Sequence, residues 1–206
     1  KFDNGANSHK RVLEFIHTLR DKTDCTIYGG AVIRSGWRLK DAYDYLRTLP
    51  VHDIKAQAVR LPPDAPYALT AEEWEQYKDD IEAIGRSVIE DIEAGQVPRD
   101  KRFSSRVMQI LLKGKKNHFC SAGFTSFGIT PSGDILACLL VKGPGTLLGH
   151  VNDTDTKAWR DAGKKWRDKP VREKCLACKH LDLCAGGCPA IFPVVGDEEC
   201  DIVYKN

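Results

Sequence analysis

At 206 residues, with 42 % hydrophobic and 29 % charged side chains, the chain is long enough for one generous domain or two small ones, and its composition excludes a disordered tail. A formal charge of only +2 gives no electrostatic case for nucleic acid as a partner. With no long apolar run and no signal peptide, the expectation is a soluble cytoplasmic protein with no membrane partner.

The opening residues Lys1-Phe2-Asp3-Asn4-Gly5 read neither as an initiator segment nor as a targeting peptide, as though the chain begins mid-protein. Val12, Phe15, Ile16 and Leu19 then stand at helical spacing after a cap at Asn7 or Ser8. Residues 25–33 are apolar and β-branched and predict a strand, with Cys25 expected as a small buried hydrophobe. Gly29-Gly30 interrupts it, too weak a signal for a nucleotide loop. Leu39, Ala42, Tyr43 and Leu46 form a second helical stripe ended by Pro50, and residues 54–59 predict another strand. Helix, strand, helix, strand with short links is the pattern of βα units on a parallel sheet.

Residues 61–69, with Pro62, Pro63 and Pro66, predict a linker or binding loop. Thr70 and Glu73 have the spacing of a capping box. The helix they open carries Trp74, Tyr77, Ile81, Ile84, Val88 and Ile92 on one face and stops near Gly95. A further helix is predicted over 105–112. Beyond Lys116 come two short strands, 125–130 and 135–141, around Pro131-Ser132-Gly133, which suits a type I turn with a glycine bulge. Residues 154–167 are again helical, followed by a loop-rich cysteine segment. The boundary falls near residue 117, giving domains 1–116 and 117–206. Two basic stretches, 99–116 and 157–174, read as solvated helix faces, with docking of an acidic peptide or an electron donor as the functional alternative.

Of eight cysteines, Cys25 stands alone and seven lie in the C-terminal half: Cys120, Cys138, Cys175, Cys178, Cys184, Cys188 and Cys200. Without a secretory signal, CxxC spacing points to metal or redox chemistry before disulfides. Soft thiolates select zinc, copper(I) or iron–sulfur clusters. Gly186 and Gly187 allow backbone to come close to a metal group, and Pro189 restricts the exit from it. Seven thiolates exceed one four-coordinate site, so two sites are expected. Zinc, completed by a histidine such as His180 or His118, and iron–sulfur fit the spacing equally.

Cys120, Gly133 and Cys138, then Cys175-x2-Cys178-x5-Cys184-x3-Cys188, then Cys200, resemble the seven-cysteine signature of the SPASM domain, which follows the catalytic barrel in many radical S-adenosylmethionine enzymes. The hairpin sequence from Gly128 to Ile135 and the segment Leu148-Gly149-His150-Val151-Asn152-Asp153 before a Trp-bearing helix extend the likeness over about eighty residues. The resemblance implies two auxiliary [4Fe–4S] clusters. The inner one takes Cys120, Cys138 and Cys188, and the outer one Cys175, Cys178, Cys184 and Cys200. Some relatives supply a fourth inner thiol shortly after the first cysteine. Residues 121–127 offer none, which implies an open iron for a substrate thiolate or amide, a non-cysteine ligand such as His118, or a smaller cluster. Sulfatase-maturing members place a catalytic aspartate directly after the second hairpin cysteine. Here that position is Leu139, so formylglycine formation is disfavoured and thioether or carbon–carbon crosslinking of a ribosomally made peptide is expected.

Residues 7–59 resemble, by pattern, the later βα units of the family's partial TIM-type barrel. The fold class is therefore α/β: barrel units followed by a loop-rich α+β SPASM domain. A CxxxCxxC motif, which would hold a third [4Fe–4S] cluster and S-adenosylmethionine, is not found; Cys184 and Cys188 have its first spacing, but residue 191 is Ile. The expectation is a fragment or one piece of a split enzyme, inactive alone, whose partners are an N-terminal radical half, a peptide or protein substrate and a flavodoxin- or ferredoxin-type electron donor. In the intact enzyme a 5′-deoxyadenosyl radical would abstract hydrogen from the substrate. Gln57, facing a barrel interior, and Arg34, reaching a carboxylate or ribose, are the cofactor-binding candidates. An iron–sulfur electron-transfer module and a zinc-stabilised interaction domain are the alternatives.

Overall fold

The structure, a computed structural model, describes residues 8–112, 114, 120–139, 145–168 and 170–188. Its first elements are helix α1 (Ser8–Lys22), strand β1 (Tyr28–Ile33), helix α2 (Leu39–Thr48) and strand β2 (Asp53–Ala58). β1 and β2 pair in parallel, from Tyr28 against Asp53 to Ile33 against Ala58. Such a pair needs a crossover, and α2 is that crossover. On the far edge of β2, the Ile54 N–H donates to the Arg99 carbonyl at 2.8 Å, and Ile54 forms an isolated parallel bridge with Asp100.

Side chains alternate across the pair. Ile33, Ile54, Ala56 and Ala58 are buried, together with Leu39, Tyr43 and Leu46 of α2. Gly29 shares that face, and a Cβ there would lie 3.1 Å from Val51 and 3.3 Å from Leu46, so glycine lets the helix seat on the strand. Tyr28, Val32 and Lys55 point to the opposite, open face. α1 forms where the stripe predicts it but buries no residue, and Val12 and Phe15 are exposed. Cys25 is also exposed, contrary to the buried role expected of it. The strand begins only at Tyr28, so Cys25 lies in the irregular link before it, outside the sheet's packed face.

α2 lacks a side-chain cap of its own at Arg38. The acceptor comes from helix α3 (Ala71–Glu93): buried Asp80 takes the Lys40 N–H at 2.9 Å and the Arg38 guanidinium at 2.9 and 3.1 Å. At the other end, Arg99 donates to the carbonyls of Arg47, Leu49 and Val51. Arg47 pairs with Asp91 at 3.1 Å. Both ends of α2 are thus fixed by residues distant in sequence, which fixes the strands it joins. Tyr77 closes the core over β2 by accepting the Ala58 N–H at 3.2 Å, and burial pushes its phenol pKa up.

α3 starts with the capping box: Glu73 N–H to the Thr70 hydroxyl at 3.2 Å, and Thr70 N–H to the Glu73 carboxylate at 2.8 Å. The same carboxylate accepts the Gly36 N–H at 2.7 Å and the Ser35 hydroxyl at 3.0 Å, tying the loop after β1 to the helix. The Gly36 and Thr70 N–H groups, in that order, hold the Glu73 pKa below its ordinary value. A carboxylate with a depressed folded pKa contributes stability above its unfolded pKa of about 4.3 and loses it as pH falls through the folded value. Wild-type protection of the Ser35 and Gly36 amides from hydrogen exchange is therefore expected to be lost as pH falls below the ordinary glutamate range, and Glu73→Gln should flatten that dependence. An unchanged acid profile in Glu73→Gln would refute this role.

The chain divides into two compact units, Lys1–Met108 and Gln109–Asn206. α4 (Lys101–Leu111) starts four residues earlier than its periodicity predicts, because Asp100 accepts the Arg102 N–H at 2.8 Å and sets an earlier first turn. The second unit contains β3 (Gly128–Ile129), β4 (Asp134–Leu136) and β5 (Leu147–His150), an antiparallel sheet in that order. β5 is a strand the periodicity does not predict. Helix α5 (Thr156–Arg167), capped by Asp155, packs Trp166 against Ala122, Ile135, Ala137 and Leu148. Two single-turn helices follow, α6 (Glu173–Leu176) and α7 (Leu181–Cys184). No helix among the described residues is long and apolar enough to cross a membrane.

Candidate functional site

Among the described residues, the second unit places its cysteines on a hairpin and a pair of tight turns. Cys120 precedes a turn in which the Gly123 N–H donates to the Ser126 carbonyl at 3.0 Å, and the Ala122 N–H points to the Cys120 sulfur at 3.4 Å. Gly123, at φ +73°, lies against Gly163 of α5; a side chain at either would strike the other's carbonyl. The helix backbone can therefore reach the Cys120 turn. Cys138 follows β4, half-buried against the core of Ala122, Ile135, Ala137, Leu148 and Trp166.

The hairpin between them is built as the turn residues predict. Gly133, at φ +93°, donates to the Thr130 carbonyl at 2.9 Å, and the Thr130 N–H donates to Asp134 at 3.0 Å. His150 locks it from β5. Its Nε2 meets the Ser132 carbonyl at 2.9 Å while its Nδ1 accepts the Asn152 N–H at 3.1 Å, a pair of bonds that requires the Nε2–H tautomer. Leu139, next after Cys138, sits over Gly128, where a Cβ would overlap its side chain, and is itself 62 % exposed. The residue following the second hairpin cysteine thus presents hydrocarbon, not a carboxylate.

Cys175 is buried at α6, its N–H bonded to the Arg172 carbonyl at 2.8 Å and its sulfur 3.6 Å from the Arg172 guanidinium. Cys178 is exposed, one turn on, with its N–H on the Cys175 carbonyl at 3.1 Å. Cys184 ends α7, half-buried, bonded through its N–H to the His180 carbonyl at 2.9 Å. Ala185, Gly186 and Gly187 are all left-handed (φ +55°, +77° and +78°), which turns the chain sharply into buried Cys188. None of these cysteines is disulfide-bonded.

Among the described residues, no three His, Cys, Asp or Glu side chains converge as a metal site. Cys200 and His118 lie outside those residues. In chemistry the donor set fits a thiolate-held cluster. Its atoms are sulfur, two of them already face N–H donors, and such hydrogen bonds are how proteins tune cluster-bound sulfur. The Arg172 and His150 contacts were not evident from spacing. Arg172 is three residues before Cys175, a separation with no motif value, and His150 acts on a turn eighteen residues away.

In the first unit, Gln57 is half-buried opposite Val32 and lines a groove of about 330 Å³ on the open sheet face with Tyr28, Gly30, Val32 and Lys55. Arg34 follows β1 immediately, its guanidinium carbon over the rings of Trp37 and Tyr67 at 5.3 and 5.2 Å from their centroids.

No protein-family model and no curated protein matches the chain. Solved structures do. Native anSMEcpe with bound AdoMet is 17 % identical, covers 95 % of this chain and 55 % of its own, and superposes with a TM-score of 0.71. Native anSMEcpe with bound AdoMet and the Kp18Cys peptide is 18 % identical, covers 95 % and 56 %, and gives 0.70. The form with bound AdoMet and the Cp18Cys peptide is 17 % identical, covers 91 % and 54 %, and gives 0.67. The chain therefore spans about half the length of the solved chains it matches. At these identities the likeness is one of fold.

Proposed function

We propose that this chain is part of a radical S-adenosylmethionine enzyme that modifies a peptide or protein and that its second unit holds two auxiliary [4Fe–4S] clusters. The observation that carries the reading is the coincidence of two independent signals. The seven-cysteine spacing falls on a chain whose fold matches anSMEcpe, and anSMEcpe has been solved with AdoMet and with peptides bound. Cys120, Cys138 and Cys188 would hold the inner cluster; Cys175, Cys178, Cys184 and Cys200 the outer one. The β1–β2 unit would contribute to a partial barrel, with Gln57 on its inner face toward the cofactor.

When bound, AdoMet supplies the radical that takes hydrogen from the substrate, and the auxiliary clusters supply a site for substrate or a route for the departing electron. The chain's own residues do the positioning. Gly123 and Gly163 let α5 pack onto the Cys120 turn, His150 holds the hairpin that presents Cys138, and the left-handed run before Cys188 turns the chain sharply into that buried thiol. Although anSMEcpe is an anaerobic sulfatase maturase, Leu139 leaves no carboxylate beside Cys138 to act as a base. Residues 121–127 carry no additional thiol. Both features favour thioether or carbon–carbon crosslinking with an inner cluster open to substrate. The 206 residues contain no CxxxCxxC, so a further segment would carry the cofactor-cleaving cluster, and a flavodoxin- or ferredoxin-type protein would supply electrons.

The reading is tested by mixing the anaerobically reconstituted chain with AdoMet and dithionite. The clusters are expected to be reduced, seen as bleaching and new paramagnetic signals, while no 5′-deoxyadenosine forms. Formation of 5′-deoxyadenosine would overturn the division of labour. A colourless chain with no paramagnetic signal would overturn the radical-enzyme reading as a whole.

A further inference from the structure

Among the described residues around β1 and β2, three cationic side chains have carboxylate partners. Arg38 is paired with Asp80, Arg47 with Asp91, and Lys101 with Asp53. Arg34 has no carboxylate partner among the described residues, and its one protein acceptor is the Ser35 carbonyl at 3.3 Å. A guanidinium has five N–H donors, so most of its hydrogen-bonding edge faces solvent. What holds it instead is π surface, from Trp37 on the same loop and Tyr67 on the loop after β2. Both rings are more than half exposed, at 57 % and 63 %.

This aromatic frame is maintained against a backbone preference. Tyr67 sits at φ +72°, a left-handed conformation that is an outlier for a bulky side chain and that clusters at ligand-binding sites. Its carbonyl accepts the Ser35 N–H at 3.0 Å, and Ser35 and Gly36 are in turn anchored on Glu73. The Tyr67 backbone in that conformation is thus tied to the Ser35–Gly36 loop. The cluster also lies at the carboxyl ends of two parallel strands, where βα folds bind their ligands.

We infer that Arg34, framed by Trp37 and Tyr67, is a specificity site that takes the side-chain carboxylate of an Asp or Glu in the peptide substrate; this rests on the peptide-modifying reading above. A guanidinium held over ring faces keeps its planar fork free, and that fork matches a planar carboxylate with two parallel hydrogen bonds. The exposed rings would receive an apolar neighbour of the acidic residue. A single guanidinium suits one carboxylate better than a phosphate, whose sites draw on several converging donors.

The test is a titration of the ¹⁵N-labelled full chain with acetyl-Gly-Phe-Glu-Gly-amide and with its Gln counterpart, reading the Arg34 Nε–H and Trp37 indole resonances. The Glu peptide is expected to shift both saturably, at least tenfold more tightly than the Gln peptide. Arg34→Gln should abolish that preference, while Arg34→Lys, which keeps the charge but not the fork, should retain only part of it. Equal shifts with both peptides, no shift with either, or AdoMet moving these resonances in their place would overturn the assignment. The wild-type comparison needs no substitution, so a variant that fails to fold cannot obscure it. Metal content separates this site from the wider reading. Iron-loaded chain indifferent to Glu versus Gln would remove the site alone, and zinc-loaded chain that still prefers Glu would remove the radical-enzyme reading while leaving the site.

Discussion

Replacing Cys175 and Cys178 together by serine is expected to lower bound iron from about eight to about four per chain, with an equal loss of acid-labile sulfide. Cys175 lies in α6 and Cys178 just past its C-cap Ala177, linked by the Cys178 N–H to the Cys175 carbonyl at 3.1 Å. Cys175 is buried and its sulfur lies beside the Arg172 guanidinium. Two hydroxyls cannot replace two thiolates as ligands to a soft cluster, so the outer group would fail. Cys120, Cys138 and Cys188 belong to the other proposed group and should keep the remaining iron. Cys25→Ser is the control: the residue is exposed in the first unit, and its loss should leave iron unchanged. Full iron retention in the double variant would show that these thiols ligate nothing.

The second large effect concerns the scaffold. Asp80→Ala should cost about 3 kcal/mol in the stability of the first unit. Asp80 is 1 % exposed and accepts from the Lys40 N–H, from Arg38 through Nε and Nη2, and from Gln76. Arg38 is half exposed, so solvent screens the ion pair and little of the loss is Coulombic. Most of it comes from the stranded Lys40 N–H, the start of α2 and the void left in the packing. Asp80→Asn keeps an acceptor for Lys40 and should cost less. Hydrogen exchange at the α2 and β1 amides is expected to accelerate on the order of a hundredfold in Asp80→Ala. Unaltered protection there would mean that α2 is held by its apolar face alone.

Local rules carried far in this chain. Thr70 and Glu73 form the capping box their spacing indicates, Gly133 takes the positive φ of the predicted turn, and β1 and β2 pair in parallel as two short strands around a helix should. Each of these depends on residues within a few positions, or on a topology with few alternatives. The misreadings depend on tertiary placement. Cys25 is apolar enough for a core, yet it falls in the link before the strand starts. The stripe of α1 makes a helix, but periodicity does not say what covers it, and Val12 and Phe15 are exposed. β5 contains Gly149 between Leu148 and His150 and has too short an apolar pattern to stand out; it becomes a strand by pairing with β4.

The site divides in the same way. Thiol spacing marked the ligand candidates because a cluster demands one residue type at close intervals. The contacts that orient them, from Arg172, His150 and the Gly123–Gly163 approach, come from residues of ordinary type at unremarkable separations. Arg34 was legible as a cation at a strand end, but its two aromatic walls come from loops thirty residues apart and needed the fold to bring them together.

The most direct measurement is iron, zinc and acid-labile sulfide content of the anaerobically purified chain, taken with its visible absorption spectrum. Two auxiliary clusters on the seven C-terminal cysteines require a brown protein with about eight irons and about eight sulfides per chain. Zinc without sulfide, and no colour even after anaerobic reconstitution, would contradict them.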